Sequence, residues 1–315
     1  METTNQEEKP FGILVCVDGS DDSYSGLRYA VKMSQGMKTS ITLLYVRIFD
    51  QGRGNEGIQV DVARENMLAW GLDLPGVRYL KKGRELLIEQ GHMAMDWHEK
   101  TTHQTVVGDP VGNQVLEYCN NAGVCIRLRL KVAKTIESGI LGVQEEECQD
   151  VIIVGASGVK SKLEKFLGMD PVALRIAMHA PCSVIVARQL ETGNGHLLCT
   201  VNTEQSLETV RKDAILANSC QCPITLFSVA ETEEERPLAE QAILDARNIL
   251  DEMNIPIHGS SATVGSPIAE IIEAGKRHSI IVMSATRKSA ASRFFIGITS
   301  LKVLEHAQTS VMLVR

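Results

Sequence analysis

The chain has 315 residues, about two domains at roughly 150 residues each. Hydrophobic residues make up 44% and aromatic residues only 4%, so its cores are built from aliphatic side chains, alanine and methionine. A formal charge of -7 argues against nucleic acid as the main partner, because such modules carry a basic face.

The opening METTNQEEKP has no basic segment leading into an apolar run and does not read as a secretory signal. No stretch approaches the roughly 20 apolar residues of a membrane helix, so a cytoplasmic placement is expected. Eight cysteines are spread along the chain without CxxC spacing, and Cys220 and Cys222 are separated by one residue. They read as buried, reduced thiols.

The predicted elements occur twice. ILVCVDGS (13–20) is an apolar run ending in Asp18, and DDSYSGLRYAVKMSQG follows with helical periodicity. The second copy opens with HLLCTVNT (196–203), ending in Asn202, and EQSLETVRKDAILANS. The next apolar runs are ITLLYVRI (41–48) and PITLFSVA (223–230). VIIVGASG (151–158) parallels IIVMSATR (280–287), and HAPCSVIVAR (179–188) parallels HAQTSVMLVR (306–315). In the last pair His179, Ala180, Ser183, Val184 and Arg188 recur as His306, Ala307, Ser310, Val311 and Arg315. His179 and His306 are expected at helix C-termini, where the dipole favours a cation.

Short strands apolar nearly throughout, alternating with amphipathic helices, predict parallel sheets covered on both faces. Right-handed crossovers make each half a doubly wound α/β sandwich. The expected domains are 1–190 and 196–315, joined by a flexible linker, ETGNG, at 191–195.

Asp18 aligns with Asn202 at an offset of 184 and Gly155 with Ser284 at 129, so the first half carries about 55 more residues. They are expected within about 49–109. ARENMLAWG and YLKKGRELLIEQ read as helical there. VVGDPVGNQVLEY reads as strand–turn–helix or as the approach to a helix before the strand CIRLRLKV.

The stretch GASGVKSKLEKFLGMD (155–170) carries the chemistry. Gly155 closes a buried strand, Gly158 follows, and Gly168 precedes the helix DPVALRIAMHA. Glycine lets backbone approach a phosphate without a Cβ in the way, and free amides at a helix N-terminus favour an anion. Open α/β sheets bind ligands at the carboxyl ends of their strands. Asp18 stands at such an end and could accept hydrogen bonds from a ribose or base edge. The bland reading is that these glycines only permit a tight turn and close helix–sheet packing.

The spacing Gly155-x2-Gly158-x9-Gly168 resembles the nucleotide loop of the universal stress proteins, G-x2-G-x9-G-[S/T]. ILVCVDGS and HAPCSVIVAR resemble that family's first and last strands, and the likeness covers nearly the whole chain as two copies. It implies two Rossmann-like domains of the adenine nucleotide alpha hydrolase type, each a five-stranded parallel sheet of order 3-2-1-4-5 with helices on both faces. It also implies binding of ATP, ADP or AMP, and pairing of the two halves through their last strands as a pseudo-dimer that removes two exposed edges. By position, Val17, Asp18 and Val46 would flank the adenosine. Val154, Gly155 and Gly158 would begin the loop, and Gly168 with the amides of Met169 and Asp170 would meet the phosphates.

Met169 departs from the family's Ser or Thr. Loss of that hydroxyl costs roughly 1.5–3 kcal/mol, and Asp170 adds negative charge, so AMP or ADP should suffer less than ATP. The second copy departs further. Asn202, Ser284 and Arg287 replace Asp18, Gly155 and Gly158, while Gly297 keeps its place before Ile298, Thr299 and Ser300. Arg287, Lys288 and Arg293 make that loop basic, but its simplest reading is a degenerate copy that supplies a packing partner.

Gly52-x-Gly54-x-x-Gly57 lacks the strand-to-helix setting of a dinucleotide fingerprint and reads as a loop. His92, His98 and His103 do not share a helical face or form HExxH, and read as a polar helix face with a frayed end rather than a metal site. With no GxxxxGK[ST] and no GxSxG, no motif supports catalysis, and slow ATP hydrolysis or autophosphorylation stands only as a third, weaker reading. The expected function is stress-response binding of an adenine nucleotide; the alternative is a nucleotide-free scaffold that docks an unidentified protein through the first-half insertion.

Overall fold

A computed structural model describes residues 9–49, 75–106, 109–156, 171–190, 193–285 and 297–315. The first half runs β1 (Phe11–Cys16), α1 (Asp21–Ser34), β2 (Thr39–Ile48), α2 (Pro75–Glu89), β3 (His98–Val106), β4 (Asp109–Cys119), β5 (Cys125–Ala133), α3 (Ile136–Glu147), β6 (Val151–Gly155), α4 (Pro171–His179) and β7 (Ser183–Ala187). The second runs β8 (His196–Cys199), α5 (Glu204–Ser219), β9 (Ile224–Ala230), α6 (Arg236–Glu252), β10 (Ile257–Val264), α7 (Pro267–Gly275), β11 (Ile280–Ser284), α8 (Ile298–His306) and β12 (Ser310–Val314).

The local chemistry explains several of these boundaries. Ser20 caps α1 by accepting from the Ser23 amide, with Asp21 and Asp22 in the first turn and Lys32 in the last, each charge matching the helix dipole. Thr135 and Ser138 form a reciprocal capping box on α3, which ends at Cys148 in the left-handed region. Pro267 opens α7, a position where its missing amide costs nothing.

The strands join in one sheet of order β10-β9-β8-β11-β12-β7-β6-β1-β2-β5-β4-β3. Within each half, five strands are parallel and follow the order 3-2-1-4-5, as β5-β2-β1-β6-β7 and β10-β9-β8-β11-β12. The halves meet where β7 and β12 pair antiparallel, with Ile185 opposite Met312. The sheet therefore continues from one half into the other.

Two cores follow. On one face α1, α2, α5 and α6 bury residues such as Tyr24, Leu27, Leu80, Leu87, Val210 and Ile249 against the sheet. On the other, α3, α4, α7 and α8 bury Ile140, Val143, Ile176, Ile271 and Val303. Each large apolar side chain so buried contributes about 1.5–3 kcal/mol, and both cores run through the β7–β12 seam.

Three expectations are corrected here. The histidine-rich stretch is not a frayed helix. His98–Val106 is strand β3, exposed along nearly its whole length, because it pairs only with β4 at the sheet's edge. VVGDPVGNQVLEY forms no helix in its described part; Asp109–Cys119 is strand β4, antiparallel to both β3 and β5. The first half's sheet is thus five parallel strands extended by an antiparallel hairpin reaching Cys119, and α2 stands where the second half has α6. Finally, not all cysteines are reduced or buried: Cys119 and Cys125 are joined in a disulfide across the turn between β4 and β5, and Cys148 is exposed. Cross-strand register brings the first two together, which spacing alone does not reveal. YLKKGRELLIEQ lies in α2 as expected, while ARENMLAWG and the Gly52–Gly57 pattern fall outside the described residues.

Candidate functional site at the carboxyl ends of β1, β2 and β6

The direction of the chain reverses between β1 and β6. From β1 it winds outward through β2 to β5, and it returns on the other side through β6 to β7. This is the kind of switch point where the loops diverge and leave a crevice.

Asp18 follows β1 at this point and is half-buried. Its Oδ1 accepts from the Ser20 amide at 2.9 Å and the Ser20 hydroxyl at 2.6 Å. That same hydroxyl caps α1 through the Ser23 amide at 3.2 Å. Asp18 is therefore oriented by the start of α1, while Oδ2 has no hydrogen-bond partner among the described residues. Val17 donates its amide to Leu44 at 2.9 Å, and its side chain packs in the α1–α2 core. Val46 and Val154 belong together in the core under α3 and α4. Val46 meets Gly139 of α3 so closely that a Cβ there would lie 2.5 Å from Val46 Cγ1.

Gly155 has a clear packing reason. A Cβ on it would lie 3.2 Å from both Ser20 Oγ and the Ser23 nitrogen, and 3.3 Å from Asp22 Cβ. Glycine at the end of β6 lets the first turn of α1 settle against that strand. Gly158, Gly168, Met169 and Asp170 lie outside the described residues.

A tyrosine cluster that no motif announces stands here. Tyr24, Tyr45 and Tyr79 gather beside Asp18. The Tyr24 hydroxyl donates to the Tyr79 carbonyl at 3.2 Å, and the Tyr45 and Tyr79 rings are 5.8 Å apart. Lys82 sits 4.3 Å over the Tyr24 ring. Burial, then the Asp18 charge, push the Tyr24 hydroxyl up to about 12, so it stays protonated. The lone hint in the sequence was a concentration of tyrosine in a chain poor in aromatics.

The second half is built differently at the equivalent place. Asn202 is exposed, and the preceding Thr200 hydroxyl is tied to the Ala242 carbonyl at 3.0 Å. Ser300 donates to the Ser284 carbonyl at 3.3 Å, Gly297 stands at the N-cap of α8 without a side-chain cap, and Arg287, Lys288 and Arg293 lie outside the described residues. A separate cleft of about 600 Å³ opens at the amino ends of the first-half strands, lined by Phe11, Gln149, Asp150, Cys182, Lys212 and Arg315 among others.

Comparison with known proteins finds one sequence match and several structural likenesses. Residues 194–315 match the universal stress protein family. The chain is similar in structure to a candidate universal stress protein from Pseudomonas aeruginosa UCBPP-PA14, at 13% identity and TM-score 0.61, covering 96% of this chain and 92% of that one. It is also similar to a universal stress protein from Archaeoglobus fulgidus DSM 4304, at 15% identity and TM-score 0.53, covering 96% of each chain. At these identities the likeness shows a shared fold. No curated protein matches the chain. Among the described residues, no helix is long and apolar enough to cross a membrane.

Proposed function

Starting from a chain whose residues 194–315 are a universal stress protein domain and whose first half repeats that strand order, we propose that it is a stress-response protein that binds ATP, ADP or AMP without transforming it. The site is assigned to the first half, at the ends of β1, β2 and β6, with the second half as its internal partner. The observation that carries this reading is Asp18: an oriented carboxylate at the switch point, with one oxygen free of described partners. A ribose hydroxyl or base amine supplies the donor it lacks. The Gly158 and Gly168 backbone would receive the phosphates, by the resemblance in spacing. Methionine at 169 favours AMP and ADP over ATP.

Equilibrium dialysis of the full chain with ATP, ADP and AMP tests this. Asp18→Asn keeps the shape but removes the negative charge and replaces one acceptor oxygen with an NH2 donor; it should weaken binding roughly tenfold, the value of one charge-assisted hydrogen bond. Gly158→Arg should abolish it. A flat response to all three nucleotides at millimolar concentration would sink the proposal.

A second reading rests on the exposed strand β3 and on Gly155, whose glycine is explained by helix packing without any ligand. The chain would then be a scaffold that docks a protein partner on the β3 edge. Nucleotide-independent binding to such a partner, lost on deleting the β3–β4 hairpin, would favour this alternative.

A further inference from the structure

The most unusual chemistry outside that site is buried where the two halves meet. His196 on β8 and Cys220 and Cys222 just beyond α5 bring an imidazole nitrogen and two sulfurs within 4.8 Å of one another. His196 is wholly buried, and the two cysteines are 1% and 6% exposed. His196 Nδ1 lies 2.7 Å from Asp213 Oδ1. A carboxylate only accepts, so Nδ1 carries a proton, and Nε2 faces the far side, where it serves as a metal ligand in its deprotonated form. There the Tyr29 hydroxyl of α1 stands 2.6 Å away, with Cys220 Sγ 3.7 Å from the same hydroxyl. Asp213 is wholly buried, and its Oδ2 has no hydrogen-bond partner among the described residues.

Two sulfurs, one imidazole and a carboxylate behind the ring form the donor set of a tetrahedral zinc centre, in which the carboxylate fixes the histidine tautomer and raises its basicity. We propose that Cys220, Cys222 and His196 Nε2 bind one Zn²⁺, with Tyr29 Oη in the fourth position. Tetrahedral geometry at about 2.3 Å to sulfur and 2.0–2.1 Å to nitrogen places ligand atoms roughly 3.3–3.8 Å apart, so the cysteine and histidine side chains need to close by up to about 1 Å, while Tyr29 Oη, now 2.6 Å from Nε2, has to draw back. Hard cations such as Mg²⁺ and Ca²⁺ are disfavoured by thiolate and imidazole ligands. Charge also favours a dication. Lys32 Nζ lies 3.9 Å from Cys222 Sγ, so two thiolates and the Asp213 carboxylate are balanced by that ammonium and Zn²⁺, whereas a monovalent cation would leave a buried net charge.

Binding exchanges protons for metal: Cys220, Cys222 and His196 Nε2 bind in their deprotonated forms and release to solvent any proton they carry, while His196 keeps its Nδ1 proton. Three ligands come from the second half and Tyr29 from the first. The ion therefore ties α1 to β8 and the end of α5, next to the point where Gly36 meets the Ser219 backbone with no room for a Cβ.

The test uses the full chain, reduced and stripped with a chelator, then titrated with Co²⁺. One equivalent should produce thiolate-to-metal absorption in the near ultraviolet and the strong visible bands of tetrahedral cobalt, and Zn²⁺ should displace it. Zn²⁺ should raise Tm in the wild-type chain and leave Cys222→Ser unchanged. Asp213→Asn should keep the spectrum and weaken affinity roughly 10- to 100-fold. An octahedral spectrum without thiolate absorption would overturn the proposal, as would the same spectrum in Cys222→Ser, or cobalt signals removed by substituting the exposed Cys148. If Cys222→Ser does not fold, the wild-type absorption intensity decides. Two thiolates support the site, and none or one rejects it.

Discussion

Arg188 and Arg315 perform the same task in opposite directions. Arg188 reaches across the seam to the Leu304 carbonyl at 2.5 Å and the Thr309 carbonyl at 3.4 Å. Arg315 reaches back to the Ala177 carbonyl at 2.6 Å and the Cys182 carbonyl at 3.2 Å. Their amides bond Ser310 Oγ at 2.9 Å and Ser183 Oγ at 3.2 Å. Arginine, serine and helix carbonyl thus repeat at one offset of 127 residues, which defines a local twofold relation between the halves. Each guanidinium also meets the negative end of the other half's last helix.

Replacing either arginine with alanine should therefore cost a similar amount, about 1.5–3 kcal/mol for charge-assisted bonds. Urea unfolding of Arg188→Ala and Arg315→Ala measures it. Lysine at either position should recover only part, because a point charge cannot fork between two carbonyls. A neutral Arg315→Ala would mean the twofold contact is decorative.

Gly19 adopts φ +89°, and a Cβ there would lie 2.5 Å from Tyr79 Cε1. Gly19→Ala should destabilise by about 1–2 kcal/mol from backbone conformation alone, with a steric cost added. Tyr79→Ala in the same chain removes the clash and leaves the backbone strain. A thermodynamic cycle on the two changes should show coupling; strict additivity would contradict the contact.

Glu146 binds Arg129 at 2.6 Å and Lys131 at 2.7 Å. Partial burial pushes its carboxyl up, but the bonds from Lys131 and Arg129 outweigh that and hold it below its ordinary value of 4.5. A depressed carboxyl contributes stability above its unfolded pKa and loses it as pH falls through the folded one. Since its side chain is half exposed, the contribution is at most about 1 kcal/mol. Glu146→Gln should be less stable than wild type at neutral pH, with the gap closing below about pH 4. A gap that widens in acid would reverse the assignment.

The Cys119–Cys125 disulfide closes a short loop, six residues apart in sequence. Loop-closure entropy for that length contributes about 2 kcal/mol. Cys119→Ala with Cys125→Ala should lower stability by up to that amount, read by denaturant unfolding under non-reducing conditions. Adding reductant should shift wild type to match the double variant and leave the variant where it is.

The architecture was readable because its signals are short-range. Apolar runs such as VIIV (151–154) and VIVA (184–187) are hydrophobic at every position, as strands buried on both faces must be, and the recurrence of Ser183 and Arg188 as Ser310 and Arg315 marked the repeat. The hairpin was missed for the opposite reason. His98–Val106 is polar along its length, and a solvated edge strand carries no alternation to detect. The Asp18 position followed from its place after a buried run, but Gly155 is accounted for by a contact with Ser20 and Ser23 that no pattern encodes.

Periodicity and composition, acting through burial of neighbours close in sequence, were enough to specify the order of strands and helices and the existence of two matching halves. Encounters between distant residues are of another kind: Tyr29 against His196, Tyr79 on Gly19, Cys119 on Cys125, and β7 beside β12. Such contacts depend on how helices settle on the sheet and in which register strands pair, and these are properties of packing in three dimensions that no local window contains.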